Sequence, residues 1–299
     1  MEKIKIFDLH SDILYDVYQA SLKGDLERFE NYHLPKLKNN ISGGIWTLYS
    51  PSDFNLLEAL KVSKSLVNLE DFAVILGIEG LRNLKKVEDL EIIYDLGYRH
   101  LMLTWNEANK YATGVKGPQE RGLTEAGYQV LDFMIDKEMI IDLSHLNEKS
   151  FYDVIGYTNK NIIASHSNIK ELCDHPRNLT KEQLKHLKKV NGLLGLTLVG
   201  GFISSNKKER TLDNFLKHLE YAINIMGIDN VCFGFDFMDY FNPKQTANLE
   251  EVKSALEVNN LINILVKAGY SKNEIEKLTF YNVFKRYHNL IYKKERNYE

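Results

Sequence analysis

The stretch Phe7-Asp8-Leu9-His10-Ser11-Asp12 carries the clearest chemistry in the chain, directly after an apolar-alternating run, Ile4-Lys5-Ile6-Phe7. Side chains alternate along a strand, so His10 and Asp12 point to one side where such a strand ends. An imidazole and a carboxylate two residues apart can reach one cation. Similar groups close later apolar runs: Glu79 in Gly77-Ile78-Glu79-Gly80, His145 in Asp142-Leu143-Ser144-His145, His166 in Ala164-Ser165-His166-Ser167, and Asp236 in Gly234-Phe235-Asp236-Phe237. Each alone has a plain reading as a turn or hydrogen-bonded structural residue. Asp8 and Asp142 fit such a role, as acceptors that orient neighbouring histidines. Three histidines and several carboxylates at the same place in successive runs point instead to metal binding.

Imidazole and carboxylate donors suit zinc, and manganese, cobalt or iron fit the same donor set. One catalytic zinc takes about three protein ligands, so five candidates are too many for one ion. They match two ions sharing a carboxylate: His10 and Asp12 on the first, His145 and His166 on the second, and Glu79 between them. Two ions about 3.5–4 Å apart hold a hydroxide and polarise a carbonyl, so the expected reaction is hydrolysis of a carbonyl derivative.

The elements that must position these residues can be read from periodicity. Eight strand-like runs are predicted: Ile4–Asp8, Gly44–Tyr49, Phe72–Ile78, His100–Thr104, Met139–Leu143, Asn161–Ser165, Leu193–Leu198 and Asn230–Phe235. Helical periodicity fills the intervals near 55–69, 84–96, 124–137, 148–158, 180–189 and 211–226. Two more helices are predicted near 248–268 and 271–287, and 13–40 reads as a helix plus a loop. Thr124-Glu125 and Ser271-Lys272-Asn273-Glu274 look like helix starts, and Gly97 and Gly227 like helix ends. Eight alternating units favour an α/β fold, a (β/α)8 barrel whose site forms at the carboxyl ends of the strands. No linker composition divides the chain, so residues 1–299 read as one domain with C-terminal helices. A doubly wound open sheet is the alternative, but a glycine-rich phosphate loop is absent after the first strand.

Composition narrows the function classes. The 299 residues carry a formal charge of −3, which gives no footprint for nucleic acid or an anionic membrane. No run of about 18 apolar residues occurs. Met1-Glu2-Lys3 leads straight into a strand, and the end, Tyr292 to Glu299, is polar. Cys173 and Cys232 lie far apart and outside any metal-binding spacing, with Cys232 inside an apolar strand. The expectation is a cytoplasmic protein with free thiols.

In this order, these segments resemble the membrane dipeptidase (renal dipeptidase) family, the M19 metallopeptidases, in a bacterial-type form. The resemblance runs through Asp8-x-His10-x-Asp12, Ser42-Gly43-Gly44, Gly77-Ile78-Glu79-Gly80, Asp142-Leu143-Ser144-His145, Ser165-His166-Ser167, Arg177-Asn178 and Gly234-Phe235-Asp236-Phe237. It implies a barrel with two zinc ions that cleaves dipeptides, including those with a C-terminal D-residue. It further implies Arg177 on the substrate carboxylate, where a guanidinium fork fits well, and Asp236 as the proton carrier. A homodimer is compatible with the family. One departure stands out. Where the animal enzymes have a histidine after strand four, this chain has Trp105, in Leu103-Thr104-Trp105-Asn106. An indole donates one hydrogen bond and carries no charge, so Asn106 becomes the candidate replacement donor.

Two other functions compete. One is a different amidohydrolase-type enzyme on the same barrel, acting on N-acyl amino acids, lactones or esters. The other is a non-catalytic metal- or peptide-binding homologue. His33, His100, His186, His218 and His288 are expected to be surface or packing residues. Trp46 and Tyr49 suit either the pocket rim or the barrel core.

Overall fold

The computed structural model describes residues 4–242 and 246–293. Met1-Glu2-Lys3 and most of the polar end lie outside the described residues. Eight parallel strands pair in chain order: β1 (Phe7–Ser11), β2 (Gly43–Tyr49), β3 (Ala73–Glu79), β4 (Tyr98–Met102), β5 (Ile140–Asp142), β6 (Ile162–Ala164), β7 (Leu193–Leu196) and β8 (Val231–Phe233). Helices run between successive strands, so the fold is a (β/α)8 barrel.

The helices begin where capping chemistry allows. The side chains of Asn55, Thr124, Asn147, Thr180 and Thr211 each accept a backbone N–H three residues on, at the starts of Leu56–Ser65, Glu125–Asp136, Glu148–Tyr157, Lys181–Lys189 and Leu212–Met226. Gly97 and Gly227, with φ of 97° and 81°, follow the helices Asp89–Asp95 and Leu212–Met226 as expected. The interval 13–40 holds the helix Ile13–Ser21, a π-helical turn Phe29–His33 and a short helix Leu34–Leu37.

Two expectations shift. The helix expected over 248–268 occupies only Val258–Lys267, behind a 3-10 turn at Ala255–Glu257. Residues before it pair instead with the exit of β7, through a bridge between Val199 and Asn248 and a bond from Leu249 N–H to Leu198 O at 3.0 Å. The first strand begins at Phe7 rather than Ile4 and contains a bulge. Its register on β2 runs Phe7↔Gly43 and Asp8↔Gly44, then slips to Ser11↔Trp46. The extra residue breaks simple alternation, so Leu9 joins the apolar interior while His10 joins the polar site above it.

The barrel interior is closed below by one apolar side chain or more from six strands and β1. Phe7, Leu9, Ile45, Ile75, Ile140, Ile163, Leu193 and Cys232 cluster with Phe280, Val283 and Tyr287 from the C-terminal helical segment, which plugs that end. Cys232 is thus a small core residue, and both cysteines are buried and unpaired. A cavity of about 980 Å³ also opens beside the plug, against Lys5, Phe72, Phe280 and Phe284, and none of the candidate site residues lines it.

Among the described residues no strand ladder joins β8 back to β1. A side chain makes the seam instead. The Asp8 carboxylate accepts from Phe235 N–H at 2.8 Å, from His10 N–H at 3.1 Å and from the Ser11 hydroxyl at 3.2 Å. Asp236 N–H adds a bond to His10 O at 3.3 Å. Close approach also needs glycine on the neighbouring strands. A Cβ on Gly195 or Gly234 would stand 1.9 or 1.8 Å from Ser165 O.

Candidate metal centre

Six side chains from five strands converge at the carboxyl end of the barrel. Glu79 is the last residue of β3, His10 lies within β1, and Asp12, His145, His166 and Asp236 lie one to three residues beyond their strands. All are buried. His10 Nε2 stands 3.7 Å from Asp12 Oδ1, 3.5 Å from Glu79 Oε2 and 3.9 Å from Asp236 Oδ1. Glu79 Oε1 stands 2.8 Å from His145 Nε2 and 3.8 Å from His166 Nε2. The two Nε2 atoms of His145 and His166 are 2.9 Å apart. Glu79 therefore reaches both halves of the cluster, one carboxylate oxygen to each.

Two sets of donor atoms lie close enough to share an ion: His10, Glu79 and His166, and His10, Asp12 and Asp236. His10 belongs to both. Asp236 stands among the donors of the second set, beside the proton-carrying role expected for it. His145 joins through its contact with Glu79.

Backbone geometry marks two of these positions. His145 and Asp236 have φ of 71° and 54°, the left-handed region that side chains with a Cβ rarely adopt. Such strain persists where surrounding contacts hold it, and here both residues turn off a strand end into the cluster.

Hydrogen bonds set the orientation of each donor. His145 Nδ1 donates to Asn106 Oδ1 at 2.9 Å, which leaves a lone pair on Nε2. His166 Nδ1 meets the Ser165 hydroxyl at 2.8 Å. Asp12 Oδ1 accepts from Thr47 Oγ1 at 2.7 Å, and Asp12 Oδ2 accepts from the Tyr240 hydroxyl at 3.1 Å. Both ring nitrogens of His10 are buried without a hydrogen-bond partner.

Electrostatics follow from burial and crowding. Burial first, then the charge of Asp12, pushes the Glu79 carboxyl up to about 8. Burial pushes Asp236 up to about 6. Burial holds His145 and His166 well below the usual imidazole range, so both are neutral and able to donate a lone pair. For His10, burial opposes protonation, but the carboxylates of Glu79 and Asp12 prevail and raise it. Burial raises Asp12, but the His10 charge and hydrogen bond, with the hydrogen bonds of Thr47 and Glu79, together lower it.

The remaining candidates take distinct places. Arg177 is buried; its Nη2 donates to His166 O at 3.1 Å, and its Nε has no partner. Burial lowers its guanidinium to about 10, still charged at neutral pH. Trp105 stacks edge-on to Tyr49 at 5.2 Å and lies 6.2 Å from His145. Asn106 has its oxygen engaged by His145, so its amide NH₂ is the donor it retains. Tyr49 faces this rim, whereas Trp46 packs in the core against Phe29 and Phe72.

Of the surface and packing places expected for His100, the structure shows the buried one. It is fully buried on β4, with Nε2 2.8 Å from Asp142 Oδ2. Asp142 Oδ1 in turn accepts from the N–H groups of Ser144 and Ser165. Asp142 thus orients the backbone beneath the site histidines and not their rings. His33 is also buried, 2.8 Å from Asp16. Thr47, Ser165 and Tyr240 were not singled out from the sequence. Thr47 could have been found by stepping two residues from Ile45 along β2, and Ser165 by its place before His166. Tyr240 lies in a loop with no periodic signal.

A family model for the membrane dipeptidases, peptidase family M19, matches residues 51–297. The chain belongs to this family. A Klebsiella pneumoniae protein encoded in the pqqA 5' region is 32% identical over 220 residues, 70% of this chain and 79% of the relative. The dipeptidase tcpJ of Claviceps purpurea is 28% identical over 71% of this chain, which spans about half of that protein's length. A crystal structure of the M19 dipeptidase AC superposes with a TM-score of 0.81 at 23% identity, covering 97% of this chain and 98% of the other. A Rhodobacter sphaeroides metallopeptidase, bound to a phosphinate mimic of L-Ala-D-Ala, gives 0.80 at 22% identity over 97% and 99%. These M19 folds share the barrel described above. No helix among the described residues is long and apolar enough to cross a membrane.

Proposed function

We propose that this M19 protein is a binuclear-metal dipeptidase. The contact between Glu79 Oε1 and His145 Nε2 carries the reading. These atoms are 2.8 Å apart, and the His145 proton is committed to Asn106 on the far side of the ring. With Glu79 ionised, two acceptors face each other in a buried site, so a proton on Glu79 or a cation must lie between them, and a bound cation would take the proton's place. His10 Nε2, without a hydrogen-bond partner and 3.5–3.9 Å from three carboxylates, faces the same space. The donor set, three imidazoles and three carboxylates, fits divalent ions of the zinc type.

His10 and Asp12 would hold one ion and His145 and His166 the other, with Glu79 shared. Bound there, such ions supply an activated water and polarise a carbonyl. The chain's own groups do the rest. The Arg177 guanidinium, with Nε free, binds the carboxylate at the end of a dipeptide. Asp236, with its carboxyl near 6, takes a proton at neutral pH and returns it to the departing amine. Trp105 and Asn106 border the substrate, Asn106 through its amide NH₂. A C-terminal D-residue is included among the substrates, a reading prompted by the ligand of the Rhodobacter relative. The two unpaired thiols are in keeping with a reducing compartment such as the cytoplasm.

The test is metal content of the purified protein with hydrolysis of L-L and L-D dipeptides, N-acyl amino acids, lactones and esters. About two ions per chain and chelator-sensitive dipeptide cleavage are expected. Cleavage confined to the other substrates, or no stoichiometric metal after reconstitution, would overturn the proposal.

A further inference from the structure

Asp12 stands at the position just before the helix Ile13–Ser21, where an aspartate ordinarily accepts a backbone N–H of the first turn. It makes no such bond. Both of its oxygens are used elsewhere, Oδ1 by Thr47 at 2.7 Å and Oδ2 by Tyr240 at 3.1 Å. A local stabilising bond has been given up to fix the carboxylate from two sides, which is expected at a functional site.

The two holders differ in rigidity. Thr47 lies within β2, while Tyr240 lies in the segment after β8. That segment is fastened at the adjacent residue. Asp239 Oδ2 accepts from the Tyr32 hydroxyl at 3.0 Å and forms an ion pair with Lys36. Tyr32 is clasped in turn, with the Lys36 ammonium 3.3 Å and the Arg28 guanidinium 3.8 Å from its ring centre. Arg28 and His33 both hold Asp16, at 2.6 and 2.8 Å, on the helix that Asp12 precedes. The chain after β1 and the chain after β8 are thereby tied together directly over Asp12.

We propose that Tyr240 is a positioning residue for Asp12, and that Asp239 is the latch that keeps Tyr240 in place. The phenol on Oδ2 fixes the rotation of the carboxylate that turns Oδ1 toward His10, 3.7 Å from its Nε2. The proposal rests on the metal-centre reading above. Hydrogen bonds to a ligating carboxylate commonly change metal affinity by about 10–100-fold.

The test uses the full-length protein loaded with Co²⁺, whose visible absorption reports coordination geometry. In Tyr240→Phe, Co²⁺ should be lost to a competing chelator at roughly 10-fold lower chelator concentration, with a changed absorption spectrum and an unchanged melting temperature of the metal-free protein. Asp239→Asn, which touches no donor atom, should shift both readouts in the same direction by less. A Tyr240→Phe protein with wild-type affinity and spectrum would overturn the role of Tyr240. Should that variant fail to fold, a wild-type affinity and spectrum in Asp239→Asn would do the same. Failure of the wild-type protein to bind Co²⁺ would remove the metal centre itself, a distinct result.

Discussion

The imidazole rings of His10 and His166 stack with centroids 3.9 Å apart and planes inclined by 24°. They come from β1 and the exit of β6, strands that are not neighbours in the sheet, so the rings meet across the barrel mouth. His166 also touches His145 and Glu79, which makes the stack a second link between the two halves of the site, beside the one through Glu79. The halves cannot be altered independently. His166→Ala is expected to lower the bound metal below one ion in each half, as measured by elemental analysis, whereas a loss confined to one ion would show that the halves act separately.

Asp236→Asn should separate a proton carrier from a ligand. The amide keeps the size of the carboxyl and removes its titration. As a carrier, Asp236 contributes about 10²–10⁴-fold to turnover. The expected outcome is kcat lowered by that order with metal stoichiometry unchanged. Loss of an ion would instead assign Asp236 to the donor set with His10 and Asp12.

Arg177→Ala removes the charged partner of a substrate carboxylate. Hydrogen bonds to charged groups contribute about 1.5–3 kcal/mol, or roughly 10–150-fold. KM for dipeptides should rise by that order, and the preference for a free over an amidated C-terminus should disappear. An unchanged preference, measured with matched substrates, would take Arg177 out of the substrate site.

The His100–Asp142 pair is buried completely. Burial opposes the Asp142 charge, but the His100 hydrogen bond and charge, with the Ser165 and Ser144 bonds, hold its carboxyl below the usual range. Removing one partner of a buried pair costs about 3–5 kcal/mol because the other is left uncompensated. Asp142→Ala should therefore destabilise the fold by that order in urea unfolding. His100→Leu should be costly for the same reason, and the double variant less costly than the sum of the two.

His218 supplies a pH dependence. It accepts Ile169 N–H at 3.1 Å and lies 3.0 Å from Ile203 O, and burial lowers it from 6.5 to about 4. The folded state thus favours the neutral ring, and the unfolded chain binds the proton first. The contribution is fully present above about pH 6.5 and is lost as pH falls toward 4, a change of order 3 kcal/mol. His218→Gln should flatten the fall in urea midpoint over that window relative to wild type. Parallel curves would show that His218 does not titrate with unfolding.

The barrel was legible because its strands are short apolar runs closed by polar residues, and the helices because Thr124, Ser271, Gly97 and Gly227 punctuate them. Strand ends were less so. Leu193 to Leu198 is apolar apart from Gly195 and Thr197, yet the ladder stops at Leu196, since the last pair on β8 is Leu196↔Phe233. The β1 bulge left no trace, because alternation in Ile4-Lys5-Ile6-Phe7 reaches only the strand's first residue. The donor residues were visible from their types at strand ends. Their holders were not: Tyr240 reaches Asp12 from the far end of the chain, and His100 finds Asp142 through parallel pairing of β4 with β5. Contacts made across elements leave no local pattern.

The Asp8 seam joins the first strand to the last, a contact between residues 227 positions apart along the chain. Contacts of that kind form late, after the loop entropy between them has been met. A polypeptide emerging from the ribosome would carry His10, Asp12, Glu79, His145 and His166 well before Phe235 arrives to be clasped by Asp8. Asp236 follows one residue later. Closure of the ring and the arrival of Asp236 beside the other five site residues therefore belong to the same event.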